Sequence, residues 1–561
     1  MTAVSIRDLH VSAVSDSGRT IEIIRGVSLD VAQGEVVALI GESGSGKTTV
    51  ALTLLGHTRP GCSIVSGQVV VNGRDMASLA PAERAAIRGC EVAYVPQSAA
   101  AAFNPMTRIM EQVIEVTRIH RVMKPEEARV RAVELFRALS LPNPETIGDR
   151  YPHQVSGGQL QRLAAAMALI AGPKVVVFDE PTTALDVTTQ IEVLRAFKSV
   201  MRATGIAGVY VSHDLAVVAQ VADRIVVLRH GEVQETGTVL EILHAPTHPY
   251  TQELVAAFAP HPRSPATAAT ADPSPPLLQL SSVTAGYGAR GADGLPIVRA
   301  VSNINLQLKR GTNLGIIGES GSGKSSLARV IAGILPGAGT ITVDGAPLGA
   351  GIADRPREVL RAIQIVFQHA DTALNPAIAV GDILARPMQF YGMRDARARS
   401  AEVDRLLDMV RLPRAVRHRR PGELSGGQKQ RVNFARALAA QPKLILCDEI
   451  TSALDTVVAS AIIDLLKELQ TELGLSYIFI SHDLSVVEAI CDEVAVMFKG
   501  EVVERLPVNG LSGASHPYSR LLFRSIPQLD PTWLDGLDMD AASAPASSLQ
   551  RHHDFALDAP R

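Results

Sequence analysis

The sequence predicts an α/β chain folded as two tandem domains, each with an α/β core and a helical subdomain. Three observations carry this. A repeat of about 270 residues, the size of a whole domain, divides the chain. Each repeat opens on a short apolar run feeding a glycine-rich loop, IGESGSGKTT at 40–49 and IGESGSGKSS at 317–326. Between them, the stretch 260–276 is dense in proline, alanine, serine and threonine and reads as a linker. Domains are therefore expected at 1–259 and 277–527, with a disordered tail at 528–561 that has too few large apolar residues for a core.

Bulk composition excludes some classes of function. A net charge of −3 leaves no electrostatic footprint for nucleic acid, so none is expected as a partner. Cys62, Cys90, Cys447 and Cys491 show no paired spacing, which speaks against a zinc or iron–sulfur site and for a reducing compartment. There is neither a basic-then-apolar leader nor a run of about 18 uncharged apolar residues. A soluble chain is expected, whose membrane connection would come through partners.

The elements recur in one order. EVVALI (35–40) and NLGII (313–317) read as central strands, because a strand covered on both faces is continuously apolar. The glycine loops and a helix follow, then Gln97 in AYVPQ and Gln368 in IVFQ. Beyond lies a helical insertion. Ala132, Leu135, Phe136 and Leu139, and in the second half Val403, Leu406, Leu407 and Val410, fall at i, i+3, i+4, i+7 and predict an amphipathic packing face. VSGGQ (155–159) and LSGGQ (424–428) come next, then apolar strands closing on Asp-Glu at Glu180 and Glu449, and finally Ser-His-Asp at 212–214 and 481–483.

The loops fit a phosphate cradle: Gly41, Glu42, Ser43, Gly44, Ser45, Gly46, Lys47, Thr48 and Thr49 in one half, Gly318, Glu319, Ser320, Gly321, Ser322, Gly323, Lys324, Ser325 and Ser326 in the other. Glycines let backbone N–H groups converge on phosphate oxygens at a helix N-terminus. Lys47 and Lys324 would reach the β- and γ-phosphates, and the Thr48 and Ser325 hydroxyls would ligate Mg²⁺. Asp179 and Asp448 end their strands where ligands bind in open α/β sheets, and would hold Mg²⁺ through its waters. Glu180 and Glu449, the next residues, would act as general base on an attacking water. The alternative, that Asp-Glu only caps the following helix, yields to the loop upstream. His213 and His482, duplicated in identical contexts, are expected to be neutral donors to the γ-phosphate.

In this order and spacing the loops, glutamines, Ser-Gly-Gly-Gln turns, Asp-Glu pairs and histidines resemble the nucleotide-binding domains of ATP-binding cassette (ABC) proteins, over about residues 4–258 and 278–527. The resemblance implies a P-loop NTPase fold with a RecA-like α/β core in each half, and ATP with Mg²⁺ as ligands. Gln97 and Gln368 would join the metal and sense the nucleotide. It further implies that each Ser-Gly-Gly-Gln turn opens a helix aimed at the opposite half's nucleotide. Ser425, Gly426, Gly427 and Gln428 would complete the site of Lys47, and Ser156, Gly157, Gly158 and Gln159 that of Lys324.

Asn104-Pro105 and Asn375-Pro376, with the endings HPYTQELVAAFAP and HPYSRLLFRSIP, are similar to the ATPase subunits of oligopeptide/dipeptide importers and of related nickel, glutathione and opine systems. That implies an ATP hydrolase at the cytoplasmic face of a bacterial inner membrane. Its partners would be two transmembrane permease subunits and, through them, an extracytoplasmic solute-binding protein. His-Pro-Tyr itself reads as a turn opening a terminal helix, with no catalytic role. Two departures from the family stand out. No cysteine follows either His-Pro-Tyr helix, so no iron–sulfur cluster is expected. Tyr287 matches the family's adenine-stacking aromatic in the second half, whereas Ala13 stands in that register in the first, so ATP should bind more weakly there. Two alternatives remain: a soluble tandem ABC ATPase acting on ribosomes or DNA, which the short, mostly uncharged connector disfavours, and an exporter ATPase, which Asn-Pro and His-Pro-Tyr disfavour.

Overall fold

The computed structural model describes residues 1–14, 18–183, 185–258, 275–291, 294–452 and 454–537. Each half has the same architecture, two sheets and a set of helices. In the first, a six-stranded sheet runs in the spatial order Glu232–Thr238, Arg224–Arg229, Val36–Ile40, Ala207–Val211, Val175–Asp179, Val92–Val95. All neighbours are parallel except the first pair. Val36–Ile40, Val175–Asp179 and Ala207–Val211 are buried at every position, the reason these runs carry no alternation of apolar and polar residues. The second half repeats the order as Ile363–Val366, Leu444–Asp448, Ser476–Ile480, Asn313–Ile317, Glu493–Phe498, Glu501–Pro507.

An antiparallel sheet led by Thr2–Val14 and Thr20–Ala32, or by Leu278–Arg290 and Pro296–Leu308, covers one face of each six-stranded sheet. Ala13 pairs with Ile21 and Tyr287 with Val298, so the two residues do hold equivalent register positions. Helices cover the other face, and there the expected amphipathic faces are buried. Ala132, Leu135 and Phe136 lie on the helix Pro125–Ala138, and Val403, Leu406 and Leu407 on Ala396–Met409; none is more than 4% exposed. Leu139 and Val410 close those helices and are equally buried. Cys447 and Cys491 sit in the second half's core. Among the described residues no helix is long and apolar enough to cross a membrane.

One expectation fails. The tail was expected to be disordered from 528 on, yet residues 528–537 lie against the first half. Leu534 is 1% exposed, and Leu529, Trp533 and Leu537 pack on the same apolar cluster of the first half. Polar contacts fasten the segment: Gln220 Nε2 donates to the carbonyls of Gln528 at 2.7 Å and Asp530 at 3.0 Å, Arg195 donates to the Leu537 carbonyl at 2.6 Å, and Lys198 meets Asp535 at 2.9 Å. A segment too short to build a core is here ordered by a core built elsewhere. The tail beyond 537, and the linker up to 274, lie outside the described residues.

Candidate functional site

Each glycine loop joins the central strand of its six-stranded sheet to a helix, Lys47–Thr53 or Lys324–Ile331. Gly41 has φ 144°, and a Cβ there would lie 1.9 Å from the Leu228 carbonyl oxygen; at Gly318 the same atom would lie 2.2 Å from the Met497 carbonyl. Only glycine fits so close to a neighbouring strand. Lys47 Nζ donates to the carbonyls of Gly41 and Glu42, both at 2.8 Å, and Lys324 repeats this with Gly318 and Glu319 at 2.8 Å. Burial pulls both ammonium groups below their ordinary value. Against this act Glu180 and Asp455 at Lys47, and Glu449, Asp448 and Asp186 at Lys324.

The strand-end acids converge on the loops. Thr48 Oγ1 donates to Asp179 Oδ1 at 2.9 Å, and Ser325 Oγ to Asp448 Oδ1 at 2.8 Å. Burial raises the Asp448 carboxyl above the usual range, opposed by the Ser325 hydroxyl. In the first half alone a tyrosine joins the pair: Tyr94 Oη donates to Asp179 Oδ2 at 2.8 Å. Glu180 and Glu449 have φ 47° and 48°, a left-handed conformation that is strained for a side chain of this type and is held because their N–H groups bond to the Val211 and Ile480 carbonyls. Gln97 Nε2 donates to Glu180 Oε2 at 3.0 Å and Gln368 Nε2 to Glu449 Oε2 at 2.7 Å. On the other side of each carboxylate stands the histidine, His213 Nδ1 at 3.2 Å from Glu180 and His482 Nδ1 at 3.9 Å from Glu449.

These pairs shift each other. Burial would lower His213, but the bond to Glu180 outweighs it and holds the imidazole above its ordinary value. At His482 the pairing with Glu449 leads and burial opposes it, with the same net direction. Burial would raise Glu180, yet His213 brings it below the usual carboxylate range; Glu449 is lowered chiefly by His482. In this arrangement each imidazole is paired with an acid. Loop, glutamine, Asp-Glu and histidine are thus brought together in both halves as expected.

The Ser-Gly-Gly-Gln turns are placed differently. Ser156 and Ser425 are exposed N-caps, each accepting from the backbone of Gln159 or Gln428 at 3.3 Å, while those glutamine side chains accept from the serine N–H at 3.1 Å. This is a capping box, so the two glutamines are engaged in their own helices. Gly157 and Gly426 open those helices and, like the serines, are exposed, while Gly158 and Gly427 follow them. At the site, contacts between the halves come from the first turns of the helices Val187–Thr204 and Thr456–Leu473. Thr188 Oγ1 donates to Glu319 Oε1 at 2.8 Å, and Thr456 Oγ1 to the His213 carbonyl at 3.3 Å. The Glu42 carboxylate turns to Arg229, 3.3 Å away. A cleft of about 690 Å³ between the halves is lined by both histidines.

Sequence reasoning missed three groups: Tyr94, the N-capping Asp186 and Asp455, and the tyrosines of His-Pro-Tyr. Tyr250 Oη accepts from Glu42 N–H at 3.1 Å and Tyr518 Oη from Glu319 N–H at 2.8 Å. Only the duplication of Asp186 and Tyr250 in the second half could have marked them.

Family models and curated relatives match both halves of the chain. The model of the family described as ABC transporter matches residues 24–183 and 301–452. That described as oligopeptide/dipeptide transporter, C-terminal region, matches 234–283 and 508–552. The chain is 36% identical to the glutathione import ATP-binding protein GsiA of Salmonella paratyphi A over 94% of this chain and 90% of that protein. It is 34% identical to the protein of the same name from Escherichia coli K12, with the same coverage. Among solved structures, cbiO1 of Clostridium perfringens, part of the ABC transporter complex cbiONQ, is 30% identical over 42% of this chain and 91% of that one, with a TM-score of 0.38.

Proposed function

Since the chain belongs to the ABC transporter family, as a two-cassette ATPase of its oligopeptide/dipeptide importers, we propose that each cassette hydrolyses one ATP against the Ser-Gly-Gly-Gln turn of the other, and that this drives uptake of glutathione or short peptides. The exporter and the ribosome- or DNA-acting alternatives fall away, because the match to the importer family's C-terminal region recurs after both cassettes.

The observation that carries the reading is the duplicated relay of glutamine, glutamate and histidine beside a lysine-bearing phosphate loop. Lys47 and Lys324 exchange their loop carbonyls for phosphate oxygens. Thr48, Asp179 and Gln97, and in the other cassette Ser325, Asp448 and Gln368, form a set of hard oxygen ligands that suits Mg²⁺, which would neutralise charge on the phosphates. The hydroxyl–carboxylate contacts of 2.9 and 2.8 Å support that fit. Glu180 or Glu449 takes the proton of the attacking water as its oxygen bonds to the γ-phosphorus and the bond to the β-phosphate oxygen breaks, giving ADP and phosphate. Gln97 and Gln368 aim that carboxylate. His213 and His482 turn from it to donate to the γ-phosphate, and the Ser425-Gly426-Gly427 and Ser156-Gly157-Gly158 turns close from the opposite cassette, their helix N-termini facing the charge.

Two permease subunits hold the chain at the cytoplasmic face of the inner membrane, and a solute-binding protein supplies them from outside. The test is the double variant Glu180→Gln, Glu449→Gln, co-expressed with the candidate permeases. It should bind ATP and co-purify with them while phosphate release falls at least about 100-fold, the scale of general-base catalysis. Unchanged release would remove the glutamates from their role.

A further inference from the structure

We propose that Tyr250 and Tyr518, the tyrosines of the two His-Pro-Tyr turns, are positioning residues for the phosphate loops, and that each relays the state of its own loop to the opposite cassette. This rests on the loops binding ATP.

The geometry at one peptide unit is the starting point. The carbonyl of Gly41 parks Lys47 at 2.8 Å, and the N–H on the other side of the same planar unit, that of Glu42, donates to Tyr250 Oη at 3.1 Å. A peptide plane cannot turn without breaking both bonds, so the phenol fixes the orientation of the carbonyl that holds the lysine. The second cassette repeats this with Gly318, Lys324 and Tyr518, at 2.8 Å for each bond. Tyr250 and Tyr518 are 2% and 6% exposed. A buried hydroxyl takes any partner in reach, but this one takes the entry amide of the loop in both cassettes.

The turn that carries each tyrosine is itself fixed. Glu235 accepts from Thr247 N–H at 2.8 Å, Thr247 Oγ1 at 2.7 Å and His248 N–H at 3.1 Å, and His248 Nδ1 accepts from Tyr250 N–H at 3.2 Å. Glu504, Ser515 and His516 reproduce all four bonds around Tyr518.

From there the path crosses the chain's midline. The helix Pro249–Phe258 packs on Thr456–Leu473 of the second cassette, and Pro517–Arg524 on Val187–Thr204 of the first. The N-caps of those two receiving helices are Asp455 and Asp186, whose charges act on Lys47 and Lys324 respectively. Each circuit therefore leaves a phosphate loop through its tyrosine and returns, by way of the other cassette, to the lysine of the same loop.

The experiment is site-resolved ATP titration of the full chain carrying Tyr250→Phe or Tyr518→Phe, with one site silenced by Lys324→Ala or Lys47→Ala. With only the first site live, Tyr250→Phe should raise the Kd and KM for ATP roughly 2- to 10-fold, the weight of one neutral hydrogen bond, and leave kcat within about 2-fold. Tyr518→Phe should leave that site unchanged, and the pattern should mirror itself at the second site. An unchanged Kd at the cognate site, or equal shifts at both sites, would overturn the proposal. Absence of ATP binding in the Lys324→Ala parent would instead refute the underlying nucleotide reading. Should a phenylalanine variant not fold, hydrogen exchange of the unaltered chain decides. A non-hydrolysable ATP analogue should slow exchange in 249–258 and 517–524, and no change there would equally overturn the relay.

Discussion

Replacing Tyr287 with alanine should weaken ATP at the second site and spare the first. Tyr287 is 44% exposed on the strand Leu278–Arg290. Its hydroxyl lies 3.2 Å from Ser326 Oγ and accepts from Arg329 at 3.4 Å, so the ring is tied to the helix that the phosphate loop opens. Ala13, in the same register of the first cassette, offers no ring. A base stacked on an aromatic side chain is worth about 1–3 kcal/mol. At about 1.4 kcal/mol per tenfold this spans roughly 5- to 150-fold. A ring held in place but open to water on one side belongs in the lower part of that range, so about 10-fold is expected. Calorimetric titration of Lys47→Ala protein, whose live site is the second, should give the tighter Kd; adding Tyr287→Ala should bring it close to that of Lys324→Ala protein. Ala13→Tyr in the latter should recover part of the difference. Equal affinities at the two surviving sites would refute the stacking argument, as would a Tyr287→Ala change without effect.

Three other perturbations follow from the geometry. The His213 imidazole should titrate above the ordinary value of about 6.5 in a proton NMR titration, and Glu180→Gln should bring it down, because burial and Lys47 are then opposed by Asp214 alone. The imidazole's share of the stabilisation is accordingly full below its unfolded value and lost as pH rises through the folded one, while the share of the lowered Glu180 carboxyl is lost as pH falls through its own folded value; a His213 titration indifferent to Glu180→Gln would contradict this. Gly41→Ala should abolish ATP binding at the first site only, since the added carbon would meet the Leu228 carbonyl at 1.9 Å, a backbone atom that cannot swing aside; a variant with normal affinity would show the cradle to be more pliant than this. Leu534→Ala removes the 1%-exposed anchor of the docked tail and should weaken its docking by about 2–4 kcal/mol, seen as faster proteolysis within 528–537 while the cassettes stay folded. Unaltered cleavage would mean that the polar contacts of the segment suffice.

The residues that the sequence marks are those whose chemistry depends on local spacing. Lys47, Asp179, Glu180 and His213 each lie in a loop or strand end that one contiguous motif defines, and all come together. The amphipathic face of Pro125–Ala138 and the register of Ala13 against Tyr287 were legible for the same reason, since a helix or a strand pair is set by its own few residues. What escaped depends on surfaces far apart in the chain. Tyr250 reaches Glu42 across two hundred positions of sequence, and nothing in His-Pro-Tyr says where its hydroxyl ends. Trp533 and Leu534 look too sparse to fold, and they take their apolar partners from the first cassette. Ser-x-x-Gln is also a capping-box pattern, and the side chains of Gln159 and Gln428 make that local bond.

Each ATP is expected to lie between the phosphate loop of one cassette and the Ser-Gly-Gly-Gln turn of the other. A structure of the Glu180→Gln, Glu449→Gln chain with ATP and Mg²⁺ tests it directly. The account predicts Ser425 and Gly427 within hydrogen-bond distance of the γ-phosphate held by Lys47, and Ser156 and Gly158 likewise at Lys324. Either nucleotide enclosed by residues of its own cassette alone, with the opposing serine still facing solvent, would contradict it.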